Sequence, residues 1–315
     1  MKGYAMSKIS VFYPSFTRKA LTFTIDDGNM TYDRKLLDIL APVGIRGTFN
    51  LCSHIHRGRE AQTVEFYSGY DVANHCKHHP LVNFDGVEYV LSDDEFDEEL
   101  SDKSKIYRVR GRDGFYWLMR PNGWRQMIFE DDFITCVKEG REELEALFPD
   151  REIKDFVWPY GEQNNAAVRE YIRRTHRSSR KTGCTQDKDG FRIPADKYAW
   201  SYNADDSNLL QVMAKYDSCP DDGELKFFAF GVHSIDFERR EGGWDVLREF
   251  ADKYGNRPDT YWYTTVGEVF DYAEALGMLE NLGDRLVNHS DVSVYLEING
   301  ERTVIEPGAE IRLAY

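Results

Sequence analysis

Leu21-Thr22-Phe23-Thr24-Ile25-Asp26-Asp27-Gly28 is a β-rich run that stops at two adjacent carboxylates and a glycine. Threonine, phenylalanine and isoleucine favour the pleated strand. Tyr32, Leu36, Leu37 and Leu40 then recur at helical spacing until Pro42, so strand, loop and helix follow in that order. The cadence continues as strands at 45–50 and 66–73, a helix with Ile134, Val137, Leu144 and Phe148 on one face, a strand at 155–158 and a helix at 165–173. Farther on come an apolar strand at 227–232, a helical stripe of Val246, Leu247, Phe250, Ala251 and Tyr254, a strand at 261–264 and a helix at 266–276. Strands alternating with helices predict an α/β chain built on a parallel sheet or a β/α barrel. Asp26, His75, Tyr160 and His233 fall just after strand ends, where such barrels assemble their active sites.

Two segments break the cadence. Residues 84–129 hold the acidic stretch Asp93 to Asp102, read as solvated surface, and β-like aromatic runs around Asp113-Gly114 and Asn122-Gly123. Near the end, Val292, Val294, Leu296 and Ile298 alternate up to Asn299-Gly300, and Val304 resumes beyond it, a hairpin pattern. The expected organisation is a barrel over 1–283 with an inserted β-rich segment at about 84–129, then a small β-hairpin appendage over 284–315.

Forty Lys plus Arg against 55 Asp plus Glu leave a formal charge of −15. That field repels phosphate backbones and anionic lipid, so neither nucleic acid nor membrane is an expected partner. No apolar run approaches the ~18 residues of a membrane span. Cys52, Cys76, Cys136, Cys184 and Cys219 show no CxxC and no regular spacing, and are read as free thiols. The stretch Met1 to Thr24 lacks a continuous apolar core and a cleavage site, which makes cytoplasmic residence the expectation.

Asp-Gly pairs mostly mark turns, so Asp26-Asp27-Gly28 becomes a site only with a second source of ligands. His75-Cys76-Lys77-His78-His79-Pro80 supplies one. Imidazoles four residues apart share one face of a helical turn and can grip one ion. Spacing alone leaves His78 open as the partner of His75, because residues three apart share a face too. One carboxylate and two imidazoles leave open positions on a borderline-soft cation, as in a catalytic site. Zinc suits these ligands best, with cobalt, nickel and iron as alternatives.

Together these residues resemble the polysaccharide deacetylases of carbohydrate esterase family four. Thr24-Ile25-Asp26-Asp27-Gly28 is similar to the family's first motif, and Gly47-Thr48-Phe49-Asn50 to the strand that follows it. Asn74-His75-Cys76-Lys77-His78-His79-Pro80 resembles the second, with Cys76 where serine or threonine is usual. Trp158-Pro159-Tyr160-Gly161 resembles the third, and Phe230-Gly231-Val232-His233-Ser234 the strand carrying the catalytic histidine. The resemblance runs in order from about Leu21 to Tyr272 and implies a distorted seven-stranded β/α barrel.

It also implies roles. Asp27, His75 and His79 would hold one divalent metal, which selects His79 over His78. Asp26 would take a proton from the attacking water, the backbone N–H of Tyr160 would stabilise the oxyanion, and His233 would protonate the leaving group. Trp158 is the expected sugar platform, and the Phe115-Tyr116-Trp117 cluster is read as packing. Two positions depart from the pattern: Val157 stands where an arginine contacts the base, and the aspartate that orients His233 is not evident among Arg180, Trp200, Asp205 and Asp206.

The expected function is metal-dependent removal of acetyl groups from N-acetylated sugars or oligosaccharides. Three rivals share the fold: an O-acetyl sugar or xylan esterase using the same residues, a metal-independent, allantoinase-like hydrolase of cyclic amides, and a non-catalytic carbohydrate-binding relative. The full ligand set argues against the second, and intact Asp26 and His233 against the third. No GxSxG elbow supports a serine nucleophile.

Overall fold

Apolar runs that pair in parallel and helices that bury one stripe each build the chain described by the computed structural model over residues 8–313. Residues 1–7 and 314–315 lie outside the described residues; they include the start of the stretch read for an export signal and the last two residues of the expected appendage. The fold is α/β on parallel strands, with additional C-terminal β-strands, as expected. Two compact units divide the chain. One gathers the chain up to Thr48, Cys184–Ala195 and everything from Tyr202 on; the other holds Phe49–Gly183 and Asp196–Ser201. The strand Gly47–Leu51 runs through the division.

In the first unit, strand Lys19–Asp27 is buried from Ala20 to Asp26. It pairs in parallel with Lys226–His233, and also with Tyr261–Tyr263. The register sets His233 beside Asp26, so both side chains leave the same end of the sheet. Helix Met30–Leu40 buries Leu36, Leu37 and Leu40, and stops at Pro42 and at Gly44, whose φ is 79°. Helices Leu209–Asp217, Gly243–Tyr254 and Val266–Gly277 belong to the same unit, the last opened by a capping box between Thr265 and Glu268.

The expected hairpin is present as strands Val294–Ile298 and Glu301–Ile305, turning at Asn299 and Gly300 with φ of 53° and 89°. Its inward residues Val294, Leu296 and Ile305 bury against Ala275, Leu286 and Leu313. An N-terminal strand, Ile9–Phe12, completes that sheet antiparallel to Val294–Ile298, a pairing between opposite ends of the chain.

In the second unit, strand Asp155–Val157 pairs in parallel with Ser178–Arg180 and with Asp71–Asn74. Helices Glu130–Leu147 and Ala166–Thr175 belong here, the latter capped by the Asn165 side chain accepting from the Val168 N–H. The strand expected over 66–73 is replaced by helix Glu60–Tyr67 and strand Asp71–Asn74. The aromatic pair Phe66-Tyr67 suggests a strand, but with Thr63 it forms a buried helical stripe, and Ser68-Gly69 breaks the run.

The inserted segment folds as most of a five-stranded sheet, in the order Leu81–Val82, Gly123–Ile128, Tyr116–Arg120, Lys105–Arg108, Val90–Leu91. Trp117 stacks on Phe96 at 5.0 Å and Trp124 meets it edge-on, so these aromatics pack against one another. Every acidic residue of the stretch Asp93 to Asp102 is exposed.

Candidate active site

The first unit brings Asp26, Asp27 and His233 to one end of its parallel strands. Asp27 has φ of 75°, left-handed backbone that costs a non-glycine residue about 1 kcal/mol or more, and Gly28 continues the same turn. The turn carries the Asp27 carboxylate to 3.7 Å from His233 Nε2. On its other side, His233 Nδ1 lies 2.9 Å from Asp236 Oδ2, and the His233 backbone N–H also donates to that oxygen.

Asp236 is therefore the carboxylate that orients His233. Asp205 instead accepts from Ser207 and Cys184, and Asp206 pairs with Arg240. Asp236 sits in the first turn of the helix Ser234–Arg239, three residues after His233, and reaches back to it.

Partial burial opposes charge on His233, but the Asp236 hydrogen bond and the negative charges of Asp26 and Asp27 outweigh it and push its pKa to about 9. The raised value fixes the sign of a linkage effect. The pair's contribution to stability is complete below the ordinary histidine value of 6.5 and is lost as pH rises through about 9. Asp236→Asn should lower the His233 pKa in an NMR titration of metal-free protein. The Tm advantage of the wild type over this variant should shrink between pH 6.5 and 9; an unchanged titration would show that Asp236 does not hold the imidazole.

The second unit brings together His75, His79 and Tyr160. His75 is buried, and its Nδ1 lies 2.8 Å from the Val157 carbonyl oxygen. A carbonyl can only accept, so Nδ1 carries the hydrogen and Nε2 carries the lone pair. That is the tautomer of a metal-ligating histidine braced by a backbone carbonyl. The His79 ring stands 4.6 Å from that of His75 and 4.5 Å from that of Tyr160. His78 turns instead to His54 and Phe115, at 4.8 and 5.8 Å.

No helical turn presents these rings. Residues 75–80 form an irregular loop in which Cys76 and His79 have left-handed backbone. The fully buried Asn74 holds it: its Oδ1 accepts from the Cys76 N–H at 3.0 Å and its Nδ2 donates to the Val137 carbonyl at 2.9 Å. Gly140 lets the helix Glu130–Leu147 approach, since a Cβ there would sit 2.8 Å from Cys76 and Lys77 backbone atoms. Ten described non-glycine residues have positive φ, and Asp27, Cys76, His79 and Tyr160 are among them. Strain of this kind gathers at functional loops.

Trp158 is not a sugar platform. It is 1% exposed, stacked near Phe133, and its indole N–H donates to Ser179 Oγ, so this large side chain is core. Tyr160, two residues on, is the exposed ring. Val157 keeps a role through its carbonyl, and its register partner on the neighbouring strand is the fully buried Arg180.

The family model for polysaccharide deacetylase matches residues 14–177, and this chain belongs to that family. The match takes in Asp26, Asp27, His75, His79 and Tyr160 and ends before His233. Among solved structures, the chain is similar to a candidate polysaccharide deacetylase from Mycobacterium smegmatis, with 14% identity, a TM-score of 0.53, and 85% of this chain and 94% of that one covered. This likeness shows the fold. The chain also matches a peptidoglycan deacetylase from Bacillus subtilis at 14% identity and TM-score 0.42, covering 82% and 95% of the two chains. A pseudoenzyme of carbohydrate esterase family four from Bacillus anthracis matches at 11% identity and TM-score 0.44, covering 81% and 66%. No curated protein matches. The family is one of hydrolases that take acetyl groups from carbohydrates.

Proposed function

We propose that this protein is a metal-dependent hydrolase that removes acetyl groups from N-acetylated sugars or oligosaccharides. One observation carries the reading: hydrogen bonds equip two histidines for different tasks. Val157 ties the Nδ1–H of His75 and leaves a lone pair on Nε2, whereas the Asp236 carboxylate, 2.9 Å from Nδ1, braces His233 and favours its protonated form. A metal ligand needs the lone pair and a general acid needs the proton.

In this reading Asp27, His75 and His79 bind the cation, and the donor set of one carboxylate and two imidazoles fits zinc, with cobalt, nickel and iron able to use the same groups. The cation supplies Lewis acidity, which makes water a better nucleophile and polarises the acetyl carbonyl. Asp26 accepts the proton of the attacking water. The Tyr160 N–H donates to the oxyanion, re-aimed by a backbone φ of 56°. His233, braced at Nδ1 by Asp236, donates from Nε2 to the departing nitrogen, which would otherwise leave as a poor amide anion.

An acetyl ester would use the same residues, so substrates must separate the two. Acetate released from N-acetylated oligosaccharides, with little from acetylated xylan, is the expected result; the reverse preference would make the protein an esterase.

A further inference from the structure

Within the second unit, the guanidinium of Arg125, on strand Gly123–Ile128, lies 5.6 Å from the centre of the Tyr160 ring. That ring is 37% exposed and stands 4.5 Å edge-on to His79. Arg125 donates to the Trp124 carbonyl at 2.9 Å, and among the described residues it makes no ion pair. The nearby acid Glu162 is already taken, paired at 2.6 Å with Arg120. The inserted sheet thus sets an unneutralised guanidinium over the exposed aromatic beside a proposed metal ligand, in a chain whose net charge is −15.

We propose that Arg125 and the exposed face of Tyr160 form a subsite for a negatively charged substituent, so that the acetylated sugar this protein acts on carries a carboxylate or a phosphate; the inference rests on the deacetylase reading. A guanidinium presents paired N–H donors that match either anion. An uncharged sugar seated there would strip water from the cation and return no counter-charge. The overall negative field does not forbid an anion, because salt screens it beyond a Debye length of about 8 Å while contact with Arg125 is direct.

Calorimetry on the full chain with three N-acetylated disaccharides tests this, one uncharged, one carrying a carboxylate and one a phosphate, otherwise matched. At least one anionic disaccharide should bind about tenfold more tightly than the uncharged one, the scale of one charge-assisted hydrogen bond, and whichever does so names the anion. Arg125→Gln should close the gap by weakening the anionic disaccharide, whereas Arg125→Lys should keep part of it. In the wild type, high salt should narrow the gap, a readout that stands even if the glutamine variant fails to fold. Equal affinities, a gap that survives Arg125→Gln or salt, or no binding by any of the three overturns the proposal. Acetate release is read separately: a binding gap without acetate removes the reaction and keeps the subsite, and acetate without a gap does the opposite.

Discussion

His233→Ala is expected to slow acetate release from an N-acetylated sugar by about 10²–10⁴, the range for losing a general acid, while activity on 4-nitrophenyl acetate largely survives. The difference comes from the leaving group. A sugar amine must be protonated as the carbon–nitrogen bond breaks, and Nε2, with Nδ1 held by Asp236 at 2.9 Å, is the proposed donor. Nitrophenolate leaves without a proton. Asp26→Asn acts on the water instead and should damage both substrates by a similar factor, with metal content unchanged. The split is read from kcat/KM of the two variants on the two substrates. Equal losses on both for His233→Ala would make this histidine a binding or structural group, and the mechanism would lack its acid.

His75→Ala is expected to abolish both metal retention and deacetylation. The wild-type side chain is buried and its tautomer is fixed by the Val157 carbonyl, so the proposed ligand is preorganised. Loss of one of three protein ligands should release the ion. His79→Ala should behave similarly, because its ring is the one beside His75, whereas His78→Ala should retain metal, because that ring packs on His54 and Phe115. Elemental analysis of the purified variants decides it. Full metal content in the His75 and His79 variants, or loss only on changing His78, would overturn the ligand assignment.

The strand, turn and helix of residues 21–40 were legible because their apolar spacing is regular and Pro42 and Gly44 mark the stop. The C-terminal hairpin was legible for a similar reason, a period of two and an Asn-Gly turn. Its partner Ile9–Phe12 was not, since a four-residue strand paired across almost the whole chain leaves no local pattern. Phe66-Tyr67 misled because aromatics favour strands, while burial with Thr63 decided for a helix. In the site, residue types and order were readable but local geometry was not. His75 and His79 meet through a strained loop braced by Asn74 and Gly140, where spacing suggested a helical turn. Trp158 was misassigned because sequence does not tell a platform from a core indole with a Ser179 partner. Asp236 was missed because the partner of His233 lies three residues away and not in a distant motif.

The central claim, that this chain couples a bound cation to amide hydrolysis of an acetylated sugar, is tested most directly by one assay. Purified protein is incubated with N-acetylated oligosaccharides before chelation, after chelation, and after return of one equivalent of zinc, cobalt, nickel or iron, and acetate is measured. Acetate should form at first, stop on chelation and return with at least one of the metals. No acetate under any condition, or release that chelation leaves untouched despite complete loss of metal by elemental analysis, would contradict it.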